Sequence, residues 1–161
     1  MKPISSDIFR QTMGQFCTGV VIVTGNDAAG PQGLCAQSFV SLSLDPPLIA
    51  ICPARTSTSW PRIRASGAFG INILAADQND LAVRFARSGG AKFQELAWRA
   101  GHQGLPVLPE ALAFIACSLE AEHEAGDHLI AVGRVTDLHI IDAARAPLLF
   151  FRGQYCSIAT S

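Results

Sequence analysis

Four hydroxyl side chains, Thr56, Ser57, Thr58 and Ser59, run together just before Trp60 and Pro61, with Arg55 and Arg62 on either side. Hydroxyls at the start of a helix whose first N–H groups are free make an anion site, and two guanidiniums add positive charge, so the stretch suits a phosphate. Plain N-capping explains one such hydroxyl equally well, and on the residues alone both readings stand. A second stretch, residues 33–47 (GLCAQSFVSLSLDPP), sets Ala36, Ser38, Ser41 and Ser43 among apolar residues and closes on a double proline. It can offer peptide N–H groups and hydroxyls to a flat polar ligand, or be an edge strand with ordinary serines. His128, in the GDH of residues 126–128, can lie flat near a ring and donate to a carboxamide or phosphate beside it. Beside that stand a turn histidine in solvent, which the residues alone favour, a structural hydrogen bond, and a metal site with His123 and Asp127 that lacks a third strong ligand.

These residues need a frame, and the chain reads as mainly β. Ser5 or Ser6 can cap a first helix with Ile8, Phe9, Thr12, Met13 and Phe16 along one face, placed to plug an end of the sheet. Gly19 then releases VVIVT, apolar on both faces and therefore a central strand, and NDAAGPQ turns it into a hairpin. Residues 48–52 form a buried strand broken by Pro53, and a short helix runs from Trp60 to Ala65 with Gly67 as its stop. Phe69, Ile71 and Ile73 alternate along the next strand; Asp77 caps a helix through Arg87 with Leu81 and Phe85 on its inner face. The loop SGGAKF follows, with Lys92, on its own a solvated lysine, beside Phe93. Residues 98–109 read as irregular. Residues 112–122 and 129–141 are long strands joined by HEAGD, and residues 148–151 and 154–158 end the barrel.

A chain of 161 residues with 49% apolar content is one domain, 1–161, with a single core. The formal charge of −1 and the scattered Lys and Arg residues argue against nucleic acid. No apolar run approaches the roughly 20 residues of a membrane helix, and the N-terminus lacks a signal-peptide core, so the expected location is the cytoplasm. Five cysteines, Cys17, Cys35, Cys52, Cys117 and Cys156, are widely spaced and read as buried free thiols. Strands without a βα rhythm indicate an antiparallel barrel, and there is no G-x-G-x-x-G, P-loop, Ser-His-Asp or paired-carboxylate arrangement.

The ordered set of GLCAQSFVSLSLDPP, FCTGVVIVT (16–24), FGINIL (69–74), RFA (84–86), KF (92–93), GDH (126–128) and PLLFFRGQY (147–155) resembles the short-chain flavin reductases, the small partners of two-component flavin monooxygenases. The resemblance covers nearly the whole chain. It implies the FMN-binding split β-barrel, antiparallel and Greek-key with a few short helices, usually a homodimer with the flavin at the subunit edge. FCTG, CAQSF and CPARTSTSW look most like reductases serving the hydroxylase of phenolic secosteroids in steroid-ring breakdown, with Gln37 where many members have Asn.

What the resemblance implies for this chain is flavin binding by Ala36, Gln37, Ser38, Leu42, Ser43, Cys52, Pro53, Ala54, Ser57, Ser59, Trp60, Phe85, Lys92 and Phe93. It also implies a nicotinamide site at His128, with Arg152 and Tyr155 lining the same mouth, and cofactor binding by Phe151, Arg152, Gly153 and Tyr155. The reaction implied is reduction of FMN, or FAD, by NADH or NADPH, and delivery of the reduced flavin to a separate oxygenase in aromatic or steroid-ring degradation. Hydride transfer between stacked rings asks the protein to position and to exclude water, so no acid–base pair is needed. Two other classes remain: a flavin carrier on the same barrel, and an oxidase of the pyridoxamine phosphate type, which the GDH and PLLFFRGQY segments disfavour.

Overall fold

Ser5 begins the first element in the computed structural model, which describes residues 3–158. Its Oγ accepts the Ile8 N–H at 3.2 Å, capping α1 (Ser6–Met13). The helix does not plug the sheet: none of its residues is buried, and Ile8, Phe9 and Met13 face outward with Phe16. The expected domain 1–161 also includes residues 1–2 and 159–161, which lie outside the described residues.

After β1 (Thr18–Gly19), β2 (Val21–Asp27) carries the β-branched run. Val21 and Val23 enter one buried cluster while Val20 and Ile22 enter another, so this strand is covered on both faces and needs no polar side. A tight turn leads into β3 (Gly30–Ala36), where Asp27 Oδ1 accepts the Ala29 N–H at 2.8 Å. The 33–47 stretch then divides: its first part is β3, and its second is β4 (Val40–Leu44), paired to β5 (Pro47–Ile51). β3 and β4 end up at opposite edges of the main sheet, so the expected continuous wall is broken at residues 37–39.

Two short helices pack on this frame. α2 (Trp60–Ile63) continues as a 3₁₀ turn over Arg64–Ser66 and stops at Gly67, whose φ of 73° is the left-handed cap. Next come β6 (Ala68–Ile73) and α3 (Asn79–Ala86). Asp77 is not the α3 cap. Gln78 takes that position and links Ala75 N–H to Pro109 C=O through its amide, while Asp77 pairs with Arg145. The irregular region contains β7 (Arg99–Ala100) against β8 (Pro106–Val107).

The hairpin β9 (Ala113–Ala125) and β10 (His128–Ile140) is longer toward its tip than the sequence pattern indicates, and Gly126, at φ 64°, opens its two-residue turn. The antiparallel sheet has the order β3-β2-β6-β9-β10-β5-β4. Val21 and Val23 of β2 share a core cluster with Ile49 and Ile51 of β5, although three strands separate them in the sheet. The sheet therefore curls into a barrel, split between β3 and β4. β11 (Leu148–Phe151) and β12 (Gln154–Ser157) do not extend that sheet; with β1 they make a separate one. All five cysteines are free, but only Cys117 is fully buried, and Cys17 and Cys156 are exposed.

α3 lies so close to β3 that a Cβ on Gly33 would meet Phe85 Cε1 at 2.4 Å. Gly33→Ala should therefore lower stability by about 1–3 kcal/mol, the usual cost of forcing a packed ring aside. Urea unfolding reads this directly; an unchanged midpoint would mean that α3 yields without cost.

Candidate active site

Residues 36–38, where the chain leaves β3 and crosses the split, are held against the end of β5 by a side-chain bridge. Ser38 Oγ accepts the Cys52 N–H at 2.9 Å, so the wall residues Ala36, Gln37 and Ser38 face Cys52, Pro53 and Ala54 across one cleft of about 500 Å³. That volume is in the range of small-molecule sites. The β9–β10 tip closes one end: Leu129 N–H donates to Pro53 C=O at 2.9 Å, and Arg55 N–H donates to Asp127 C=O at 2.9 Å. These bonds bring His128, distant in sequence, opposite Ala54 at the mouth.

His128 is half exposed, and its Nδ1 lies 2.8 Å from Asp127 Oδ1. This bond, with the imidazole's charge when protonated, holds the Asp127 carboxyl below its usual range. Nε2 is then the nitrogen left for a ligand, and in the neutral ring it is an acceptor; donation from it requires the protonated imidazole. His123 stands across from Ile130 and lines a different depression beside Trp60 and Arg64. Among the described residues no group of three or more His, Cys, Asp or Glu is placed to hold a metal.

At the other end, Thr56, Ser57, Thr58 and Ser59 line the cleft with Arg87 and Lys92. The turn owes little to helix polarity: α2 is four residues long, Ser57 Oγ already accepts the Trp60 N–H at 3.1 Å, and Ser59 C=O takes those of Arg62 and Ile63. Trp60 itself is buried behind the turn, edge-on to Phe69, with its indole N–H on Glu122 Oε1 at 2.6 Å. Arg64 takes the other Glu122 oxygen. Neither expected flanking cation reaches the cleft; Arg62 pairs with Asp27 at 2.6 Å and Arg55 with Glu124 at 3.5 Å. Arg87 does, alongside Lys92, from the extended C-cap of α3 two residues beyond Phe85. Its only sequence signal was that position, just past the RFA segment.

Lys92 is not a solvated lysine. Its Nζ donates to Gly33 C=O at 3.1 Å, Phe85 C=O at 3.1 Å and Ser59 Oγ at 3.2 Å. Burial pulls its pKa down, with nearby Cys35 opposing the shift. Cys35, also on the cleft, is pushed up to about 11 by burial, against its hydrogen bond with Tyr155. Burial, with Cys35 close by, likewise pushes Tyr155 up to about 12.

Of the other expected residues, Phe85 lines the cleft and Phe93 packs edge-on to it, 5.1 Å between ring centroids, from a neighbouring groove. Leu42 and Ser43 lie on the edge strand β4, outside the cleft lining. Phe151, Arg152, Gly153 and Tyr155 belong to the β11–β12 hairpin, also outside it. There Arg152 covers the Phe151 ring and donates to Gln15 Oε1 at 2.8 Å. Within one chain, the structure thus separates Arg152 and Tyr155 from the His128 mouth.

Compared with known proteins, residues 13–159 match the flavin reductase like domain. The chain belongs to this family. It is 48% identical over 150 residues, 93% of its length and 76% of the other's, to the flavin-dependent monooxygenase reductase subunit HsaB of Rhodococcus jostii RHA1. Nitrilotriacetate monooxygenase component B from Mycobacterium thermoresistibile has the same fold, with a TM-score of 0.91 and 42% identity over 95% of this chain and 86% of that one. The NADH:FAD oxidoreductase SgcE6 of Streptomyces globisporus, solved with NAD and FAD fragments, aligns over 100% of this chain and 99% of its own at a TM-score of 0.90 and 31% identity.

The donor set of this family member fits a flavin nucleotide: small and carboxamide residues at 36–38 and 52–54 for a flat ring with a polar edge, and hydroxyls with Arg87 for a phosphate. The raised Cys35 pKa has a separate consequence, since only the thiolate alkylates. Iodoacetamide should label exposed Cys17 and Cys156 at pH 8 well before Cys35, whose labelling should climb as pH approaches about 11. Peptide mass mapping across pH follows this, and rapid labelling of Cys35 at pH 8 would contradict the buried, protonated thiol.

Proposed function

We propose that this chain is an NAD(P)H:flavin oxidoreductase, reducing FMN or FAD and releasing the product to a separate oxygenase component. The cleft carries this reading: in a member of the flavin reductase family, ring-sized walls, a hydroxyl-lined end with Arg87, and His128 at the mouth belong to one cavity. A flavin bound there supplies the ring that accepts a hydride from a stacked nicotinamide. Ala36 to Ser38 and the 52–54 segment hold the ring edge, and Ser57, Ser59 and Arg87 orient the phosphate. The Asp127 bond fixes the His128 tautomer, so Nε2 accepts from the nicotinamide carboxamide. FCTG, CAQSF and CPARTSTSW support an acceptor oxygenase of aromatic or steroid-ring degradation.

Consumption of NADH or NADPH on adding FMN, FAD or riboflavin is the direct test. A protein that holds flavin and leaves the nicotinamide unconsumed is a carrier, and turnover of pyridoxamine phosphate would assign the oxidase class. His128→Ala should cost about ten- to a hundredfold in kcat/KM for the nicotinamide donor while flavin affinity stays unchanged. Ser38→Trp, which fills the wall, should abolish flavin binding. Unaltered donor kinetics in a folded His128→Ala protein would remove His128 from the donor site.

The chain is further read as one domain over 1–161, cytoplasmic and without nucleic-acid or membrane partners; none of the described helices is long and apolar enough to cross a membrane. The exposed apolar residues Ile8, Phe9 and Met13 of α1, and Val40, Leu42 and Leu44 of β4, support a homodimer. Light scattering at micromolar concentration should give twice the 17.0 kDa chain mass, and a monomer would contradict it.

A further inference from the structure

Between Cys52 and Trp60 the chain has no ladder of its own; apart from one bridge from Ala54 to His128 it runs as turns and bends. Such a segment is fixed by its anchors rather than by a repeating backbone pattern. Lys92 anchors Ser59 from the cleft side. On the opposite side the anchor is Trp60, next in sequence to Ser59, whose backbone N–H donates to Ser57 Oγ at 3.1 Å. Trp60 is only 1% exposed, and its indole N–H donates to Glu122 Oε1 at 2.6 Å, while Arg64 donates to the other carboxylate oxygen. Edge-on packing against Phe69 alone would let the indole slide; a charge-assisted bond is directional and pins it. Glu122 stands on β9 opposite Ala131 of β10, in the hairpin whose tip carries His128. Glu122, Trp60 and Arg64 line a depression of about 370 Å³ behind the turn, and none of them lines the cleft.

We propose that Glu122 is a positioning residue for the flavin phosphate: through the Trp60 indole it fixes the Ser57 and Ser59 hydroxyls relative to the hairpin that carries His128. The inference rests on the reductase reading above, in which those hydroxyls and Arg87 orient the phosphate. Because Glu122 has no place in the cleft lining, its effect reaches a ligand only through Trp60 and the turn. The carboxylate therefore matters to a flavin that carries a phosphate and not to one that lacks it. Riboflavin has the same ring without the phosphate, so its affinity reports the ring walls at 36–38 and 52–54. Arg64, at the half-exposed surface, keeps the Glu122 charge partnered and makes no bond to the hydroxyls of the turn.

Fluorescence titrations with FMN and with riboflavin make the test on the wild-type chain, Glu122→Ala, Glu122→Gln and Trp60→Phe, with a thermal melt of each. Glu122→Ala removes both bonds, Glu122→Gln keeps an oxygen that accepts from the indole, and Trp60→Phe removes the indole N–H while leaving the Arg64 pair. Wild type should bind FMN more tightly than riboflavin. Glu122→Ala and Trp60→Phe should each weaken FMN about tenfold with riboflavin unchanged, and Glu122→Gln should stay within about threefold of wild type. The double variant should be no weaker than the weaker single one, because both substitutions break the same bond. Equal loss of FMN and riboflavin, or unchanged FMN affinity in folded Glu122→Ala, overturns the proposal and leaves the reductase reading intact. Glu122→Gln as weak as Glu122→Ala overturns the route through Trp60 in favour of the Arg64 pair. If Glu122→Ala does not fold, Trp60→Phe carries the same comparison, and its equal loss of both flavins overturns the proposal. Equal wild-type affinity for FMN and riboflavin overturns it by removing the phosphate from the turn, whereas a wild-type chain that binds neither flavin removes the reductase reading itself.

Discussion

Lys92 donates its three ammonium protons to three different elements: the Gly33 carbonyl on β3, the Phe85 carbonyl near the end of α3, and the Ser59 hydroxyl in the turn before α2. Each of these elements forms a wall of the cleft or of the groove beside it, so one partly buried cation fixes their separation. Such bonds are worth more than their neutral counterparts, and removing the cation would leave two carbonyls and a hydroxyl without their donor. The lowered pKa records the desolvation cost of holding the charge there. The glycine-rich loop is ordered at its Lys92 end by that anchor rather than by its own backbone preferences.

The opposite end of the cleft depends on a different kind of contact, backbone to backbone. The β9–β10 tip docks on residues 53–55 through two peptide hydrogen bonds, and this attachment, with the Asp127 carboxylate, sets both the position of His128 and the nitrogen it presents. Behind the hydroxyl turn, Glu122 on the same hairpin holds the Trp60 indole and Arg64. One long hairpin therefore positions the mouth through its tip and the hydroxyl-lined turn through a carboxylate six residues below His128 in number. The curl of the sheet makes this economical, because strands distant in sheet order meet in a common core.

Much of this was legible in the sequence because it depends on local chemistry. The run VVIVT is apolar at every position, and such a strand must be covered on both faces. The Ser5 cap, the Gly67 stop and the HEAGD hairpin follow from capping and turn preferences that neighbours decide. The hydroxyl run at 56–59 and the small and hydroxyl residues of 33–47 stood out by type, with capping and an ordinary edge strand open beside a ligand site, and the ordered motifs indicated the family and the barrel. What charge would do was not legible. Arg55 and Arg62 flank the hydroxyls in the chain, yet carboxylates from other elements, Glu124 and Asp27, take them away, and Arg87 from α3 arrives instead.

The remaining differences have the same origin in distance along the chain. Amphipathic spacing shows that α1 has an apolar face but not what covers it, and in this fold that face is exposed. Leu42 and Ser43 are only a few residues from Ser38, but the chain crosses the barrel split between them, so closeness in sequence did not become closeness at the cleft. PLLFFRGQY pairs with β1 in its own sheet, which draws Arg152 to Gln15 and Tyr155 to Cys35. Residue types and short-range spacing therefore determined the elements and the chemistry available to them. Sheet order, the docking of the hairpin tip and long-range ion pairing decided which groups share the cleft, because these terms depend on contacts between segments that local preferences do not encode.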